Sequence, residues 1–124
     1  METCIEARKA VYDRYMENLS GEDGLVLPGQ QEGVSANYAY FPVVFEPEKF
    51  GKSRDLVYSE LLDADIHARK YFYPAINDMT CYKDIYADQR TPVAQEISKK
   101  VLTLPIYEDL SPKDIDRICE IVLG

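Results

Sequence analysis

The chain has 124 residues, enough for one domain with a real core and too few for two. Apolar residues make up 46% of it and charged residues 29%, an ordinary balance for a globular protein and outside the disordered range. Its 14 Lys and Arg against 22 Asp and Glu leave a net charge of -8, which opposes phosphate neutralisation and argues against a nucleic-acid partner. The longest apolar runs, such as FPVVF at residues 41–45, fall far short of the roughly 20 residues of a membrane span. METCIEARK lacks the apolar stretch of a signal peptide, so the expected setting is cytoplasmic, with no membrane partner. Cys4, Cys81 and Cys119 are an odd number at long spacings, with no zinc or disulfide pattern, and read as reduced thiols.

Residues 3–19 carry Ala7, Val11, Tyr15 and Leu19 four apart, with Tyr12 and Met16 beside them, which predicts a surface helix. Thr3 and Glu6 could form a capping box at its start, and SGEDG at residues 20–24 ends it. A short apolar LVLP and a polar, Gly-containing loop follow. NYAYFPVVF at residues 37–45 predicts a strand, with Pro42 pointing to an edge or a bulge. After the turn-like EPEKFGK, Ser53 caps a predicted helix on which Val57, Leu61 and Ala64 share a face, with Tyr58 and Leu62 alongside. A second strand is expected at residues 66–72, then a long irregular stretch at residues 74–91 that should cover or bind something. Pro92 opens a helix with Val93, Ile97 and Val101 four apart, and residues 102–106 suit a short third strand. The last helix has the clearest start: Ser111 as cap, Pro112 at the first helical position and Asp114 in the first turn. Ile115, Ile118, Cys119 and Val122 form its expected buried stripe, with Cys119 acting as a small hydrophobe. The order predicts an α+β fold, a small and mostly antiparallel sheet with helices against one face.

HARKYFYP at residues 67–74 is the most informative string for chemistry. Strand alternation places Ile66, Ala68, Lys70 and Phe72 on one side and His67, Arg69, Tyr71 and Tyr73 on the other. An Arg flanked by a His and tyrosines can clamp a phosphate or carboxylate while the rings stack on a sugar or base. The bland alternative is a solvated sheet face whose tyrosines cover apolar neighbours. Ten tyrosines and no tryptophan fit either a ligand surface or an interface. A Cys/His nucleophile would need His67 together with a distant cysteine, and the acidic pairs Glu22/Asp23 and Glu108/Asp109 read as solvated turn charges. No Gly-rich phosphate loop, zinc spacing or calcium loop occurs, so no catalytic residue is assigned and no metal is expected.

Three strings together resemble one family. NYAYFPVVF, HARKYFYPAIND (residues 67–78) and VAQEISKKVLTLPIYEDLSPKDIDRICEIV (residues 93–122) are similar, in order and spacing, to the C-terminal region of the DegT/DnrJ/StrS sugar aminotransferases. EARKAVYDRYMENLSG at residues 6–21 resembles the helix leading out of their large domain. The resemblance implies that residues 1–124 are a single C-terminal small domain, with residues 1–20 leading out of a large domain not in this chain. It also implies a parent of fold type I that uses pyridoxal phosphate (PLP) to move an amino group, usually from glutamate, onto a nucleotide-linked keto sugar. In such enzymes a large-domain lysine holds the cofactor as a Schiff base, and no lysine here lies in a stretch like that motif. The resemblance therefore leaves the catalytic roles blank and implies no bound cofactor for this chain alone.

What it carries over is part of the substrate wall: Arg69 as an anion or hydroxyl donor, Tyr71 and Tyr73 as ring contacts, with Asn37 and Tyr38 on the neighbouring strand. Many relatives have a His where this chain has Ala39, and another close to Ile76. The wording HARKYFYPAIND is nearest to the branch acting on dTDP-linked dideoxyhexoses. The face that would meet the large domain should be apolar or aromatic, which implies a homo-oligomer. A stand-alone module that binds sugar nucleotides, or an interaction protein on the same domain, is the alternative function.

Overall fold

A computed structural model describes all residues, Met1–Gly124. Helix α1 spans Glu2–Leu19 and buries Val11, Tyr12, Tyr15 and Leu19, the stripe that its spacing predicts. It begins one residue before the expected capping box. Met1 is its cap, and no side chain bonds the first turn, so Thr3 and Glu6 lie inside the helix and form no box. Two short strands, β1 (Leu25–Val26) and β2 (Phe41–Phe45), pair antiparallel, with Leu25 opposite Phe45 and Val26 opposite Val44. Gly24 makes that entry possible. Its φ of +84° suits glycine, and a Cβ there would collide with the Phe50 backbone nitrogen.

The turn-like EPEKFGK contains a single helical turn, α2 (Pro47–Phe50), closed by Gly51 in the left-handed conformation. Helix α3 (Arg54–Asp63) starts where Ser53 Oγ accepts from Leu56 N at 3.2 Å, as its sequence predicts. Residues 66–91 then cross the molecule with only a 3₁₀ turn at Ile76–Asp78. Helix α4 (Pro92–Lys100) leads directly into β3 (Val101–Leu104), and α5 (Pro112–Leu123) closes the chain. On α5 the Ser111 Oγ accepts from Asp114 N at 3.1 Å, and all four residues of the expected stripe are buried.

The sheet order is β1-β2-β3, wholly antiparallel, with Phe41 opposite Leu104 and Val43 opposite Leu102. Paired residues share a face, so Phe41, Val43, Phe45, Leu102 and Leu104 point together into the core. There they meet Val11, Tyr15 and Leu19 of α1, Val57 and Leu61 of α3, and Ile115, Ile118 and Val122 of α5. The fold is the expected α+β layer, helices against one face of a small antiparallel sheet. Arg14 and Asn18 of α1 lock onto Asp116 of α5, with Arg14 donating at 2.8 and 2.6 Å and Asn18 at 2.8 Å.

Besides the capping box, three expectations are corrected. The strand expected over residues 37–45 begins only at Phe41, because Asn37 Oδ1 accepts from Ala39 N at 3.1 Å and Tyr38 takes a φ of +52°. The strand expected over residues 66–72 shrinks to one bridge, Arg69 with Thr103, made by reciprocal bonds of 3.0 and 2.7 Å. The alternation nevertheless holds as far as Lys70: Ala68 is buried while His67 and Arg69 face solvent. Beyond it the chain turns away, with Lys70 Nζ 2.7 Å from Asp55 and 4.4 Å from the Tyr58 ring centre. On α4 the Val93–Ile97–Val101 stripe does not face the core. Val93 and Ile97 are exposed, Ser98 is the buried residue, and Val101 has already entered β3.

Candidate functional site

The open edge of β3 and the Arg69 bridge build a pocket of about 340 Å3 lined by Ala39, Tyr40, His67, Arg69, Tyr71 and the run Thr103 to Tyr107. Its floor is held from below, because the buried Tyr15 hydroxyl donates to Pro105 O at 2.8 Å. Desolvation at that position raises the Tyr15 pKa well above the ordinary phenol range, so the hydroxyl stays a donor. The Arg69 backbone is fixed by the Thr103 bridge, while Nη1 of its side chain donates to the Tyr71 hydroxyl. That bond raises the Arg69 pKa further, so the guanidinium remains a permanent cation at the pocket rim. Its Cζ stands 5.5 Å from the Tyr71 ring centre, and Tyr40 meets the same ring edge-on at 5.8 Å. His67 Nε2 lies 3.2 Å from Asp65 Oδ1 at the far side.

The five expected site residues do not all converge. Arg69 and Tyr71 share the pocket. Tyr73 leaves it, its ring lying 4.9 Å from the guanidinium carbon of Arg54. Asn37 and Tyr38 line an adjoining groove, with Tyr38 packed edge-on against Tyr12 at 5.1 Å. Two ring contributors, Tyr40 and Tyr107, were not singled out from the sequence. Tyr40 lies inside the quoted NYAYFPVVF string and Tyr107 directly after LTLPI, so the available signal was an aromatic next to a strand end.

Chemically this is a recognition surface: one fixed cation, phenol hydroxyls and ring faces suited to an anionic group with an attached flat or sugar ring. The lining includes no lysine to hold a cofactor aldehyde and no carboxylate to pair with a pyridine nitrogen. The residues present do not fit PLP, which the sequence resemblance assigns to the large domain of the parent and not to this chain. No three His, Cys, Asp or Glu side chains are grouped to hold a metal ion, and no helix is long and apolar enough to cross a membrane.

A family model for the DegT/DnrJ/EryC1/StrS aminotransferases matches residues 1–123. The chain belongs to this family. Among curated proteins, it is 34% identical to the dTDP-4-amino-4,6-dideoxy-D-glucose transaminase of Escherichia coli, over 100% of the chain and 34% of that enzyme. It is 28% identical to the dTDP-4-dehydro-2,3,6-trideoxy-D-glucose 4-aminotransferase of Saccharopolyspora spinosa, over 94% of the chain and 28% of that enzyme. The chain thus spans about a third of the length of the curated relatives it matches. Among solved structures, DesI in the presence of its TDP-sugar product superposes with a TM-score of 0.85 at 22% identity, covering 97% of the chain and 30% of DesI. The PLP form of the sugar aminotransferase Spr1654 from Streptococcus pneumoniae gives 0.81 at 25% identity, over 96% and 30%.

Proposed function

We propose that this chain is the C-terminal small domain of a PLP-dependent aminotransferase that moves an amino group, from glutamate, onto a nucleotide-linked keto sugar. The favoured substrate is a dTDP-linked dideoxyhexose, and the expected compartment is the cytoplasm. On this reading α1 leads out of the large domain that carries the cofactor and its lysine, and the chain alone is inactive. Arg69 and Tyr71, with Tyr40 and Tyr107, supply one wall of the substrate site. Arg69 takes an anionic oxygen or a sugar hydroxyl and the rings take the flat faces. Tyr73, Asn37 and Tyr38 stand further out and contribute through the longer nucleotide end.

The observation that carries the reading is the match along the whole chain to one third of a dTDP-sugar transaminase. Cofactor chemistry comes from the group itself, which acts as an electron sink when bound. This chain's share is to bind and orient. A half-open wall leaves most of a ligand in water, which weighs against the stand-alone binding module.

The test is a chimera in which residues 1–123 replace the matching third of the E. coli enzyme. It should retain PLP absorbance and transfer from glutamate to a dTDP-linked keto sugar. Arg69→Ala in that chimera should raise KM by about tenfold with the cofactor spectrum unchanged. A chimera that folds and holds PLP yet serves no dTDP-linked keto sugar would refute the substrate assignment. Formation of a PLP adduct on a lysine of the isolated chain would refute the division of labour.

A further inference from the structure

Residues 70–74, which carry Tyr71 along the candidate pocket, make no backbone hydrogen bond. The last one before them is the Arg69 bridge to Thr103, and the next along the chain is that of the Asp78 amide to Ala75 O. A segment without backbone partners keeps one shape only where its side chains are held.

Two adjacent residues in the first turn of α3 hold them. Asp55 Oδ1 lies 2.7 Å from Lys70 Nζ, and the Arg54 guanidinium faces the Tyr73 ring at 4.9 Å, so the segment is gripped on either side of Tyr71. The same Asp55 oxygen lies 2.8 Å from Arg54 Nε, and one carboxylate thereby ties the two grips together. Lys70 alternates with Arg69 and Tyr71 along the extended backbone, so drawing its ammonium toward α3 turns the other two side chains toward the pocket they line. Arg69 Nη1 also donates to the Tyr71 hydroxyl, so a swing of Tyr71 carries the guanidinium with it. Asp55 itself lies outside the pocket, with 65% of its side chain exposed. An ion pair so exposed adds little to global stability, and its contribution here is local direction.

We propose that Asp55 is a positioning residue for the substrate wall: by holding Lys70 and Arg54 together it fixes the direction in which Arg69 and Tyr71 meet the ligand. The inference rests on the reading of that wall as part of a sugar-nucleotide site.

In the chimera, Asp55→Asn should raise KM for a dTDP-linked keto sugar about fivefold, the upper range for one exposed ion pair, with kcat and PLP absorbance unchanged. Asp55→Glu, which keeps the charge, should stay within about twofold of the parent chimera. Lys70→Met should match Asp55→Asn, and the double variant should add nothing to either, because both remove one contact. Asp116→Asn is the control: it loses an ion pair to Arg14 on α5, outside the pocket, and should leave KM as it was. A KM unmoved by Asp55→Asn, an equal rise with Asp116→Asn, or additive effects of Asp55→Asn and Lys70→Met would each overturn the proposal. Failure of the substrate reading shows separately, as a parent chimera that holds PLP yet serves no such sugar. The positioning is then read on the 124-residue chain itself, where amide order parameters of residues 70–73 should fall with Asp55→Asn and Lys70→Met but not with Asp116→Asn. Order parameters that do not move in the first two variants would overturn it.

Discussion

Replacing Arg54 by methionine removes a buried cation that ties three segments together. Arg54 is 2% exposed, and its Nη1 donates to Ser98 O at 3.0 Å and to Val101 O at 3.1 Å, across the junction where α4 becomes β3. Its Nε lies 2.8 Å from Asp55 Oδ1, in an ion contact whose angle falls outside hydrogen-bond geometry, and its guanidinium faces the Tyr73 ring. Methionine keeps most of the packing stem, so the loss is chiefly the two charged hydrogen bonds and the carbonyls they satisfied. Each such bond contributes about 1.5 kcal/mol or more, and Asp55 can return to water at little cost, so the expected destabilisation is about 3 kcal/mol. Urea unfolding followed by far-ultraviolet dichroism measures it, with the slope expected to stay constant. Hydrogen exchange should quicken at the α4–β3 junction and at residues 70–73 before it does in α1. A loss below about 1 kcal/mol would mean that water or a neighbouring side chain replaces the guanidinium, and the argument that Arg54 anchors this junction would fail.

Tyr15→Phe deletes the hydroxyl beneath Pro105 and should cost about 1 kcal/mol in chemical unfolding, while ring packing in the core is kept. Lys70 first, then Arg54, holds the Asp55 carboxyl below its ordinary value, and Arg14 and Asn18 do the same for Asp116. A carboxyl depressed by folding contributes stability that is fully present above its unfolded value of about 3.9 and disappears as pH falls through the lower folded value. The urea midpoint should therefore decline in acid, and Asp55→Asn or Asp116→Asn should each make that decline shallower. Burial pushes the Cys119 thiol up to about 11 and shields it, whereas Cys81 is exposed. A thiol reagent at neutral pH should modify Cys81 at once in the folded chain and reach Cys119 only after urea is added, as counted by mass spectrometry. Ser111→Ala removes the acceptor for Asp114 N and should lower stability by about 1 kcal/mol, read from the thermal midpoint.

Helices α1, α3 and α5 are legible from residues within a turn or two of each other. Stripes such as Val11, Tyr15 and Leu19, or Ile115, Ile118 and Val122, repeat at the helical period, and Ser53 and Ser111 bond the first turns they precede. That Arg69 and Tyr71 lie together at one pocket is equally legible, since they stand two residues apart on one side of an extended string. Tyr40 and Tyr107 are not, since only folding brings residues 40, 71 and 107 to one pocket. Local reasoning also failed on α4, whose apolar period suggested a core-facing stripe. Its short length and its direct passage into β3 put Ser98 inward and left Val93 in solvent.

What the amino-acid order determined by itself was the helical frame, the α+β class, the acidic character of the chain and the family likeness, all of which rest on composition or on neighbours along the chain. Only the tertiary structure decided which short apolar runs become strands. Leu25 and Val26 join the sheet, while residues 66–72 contribute one bridge and are then drawn aside by Asp55, fifteen residues earlier. The physical reason is that a strand of two to five residues has too few local contacts to specify itself. Its existence depends on which distant backbone donors and charged side chains remain unpaired when the helices have packed, and no pattern within the run records that competition.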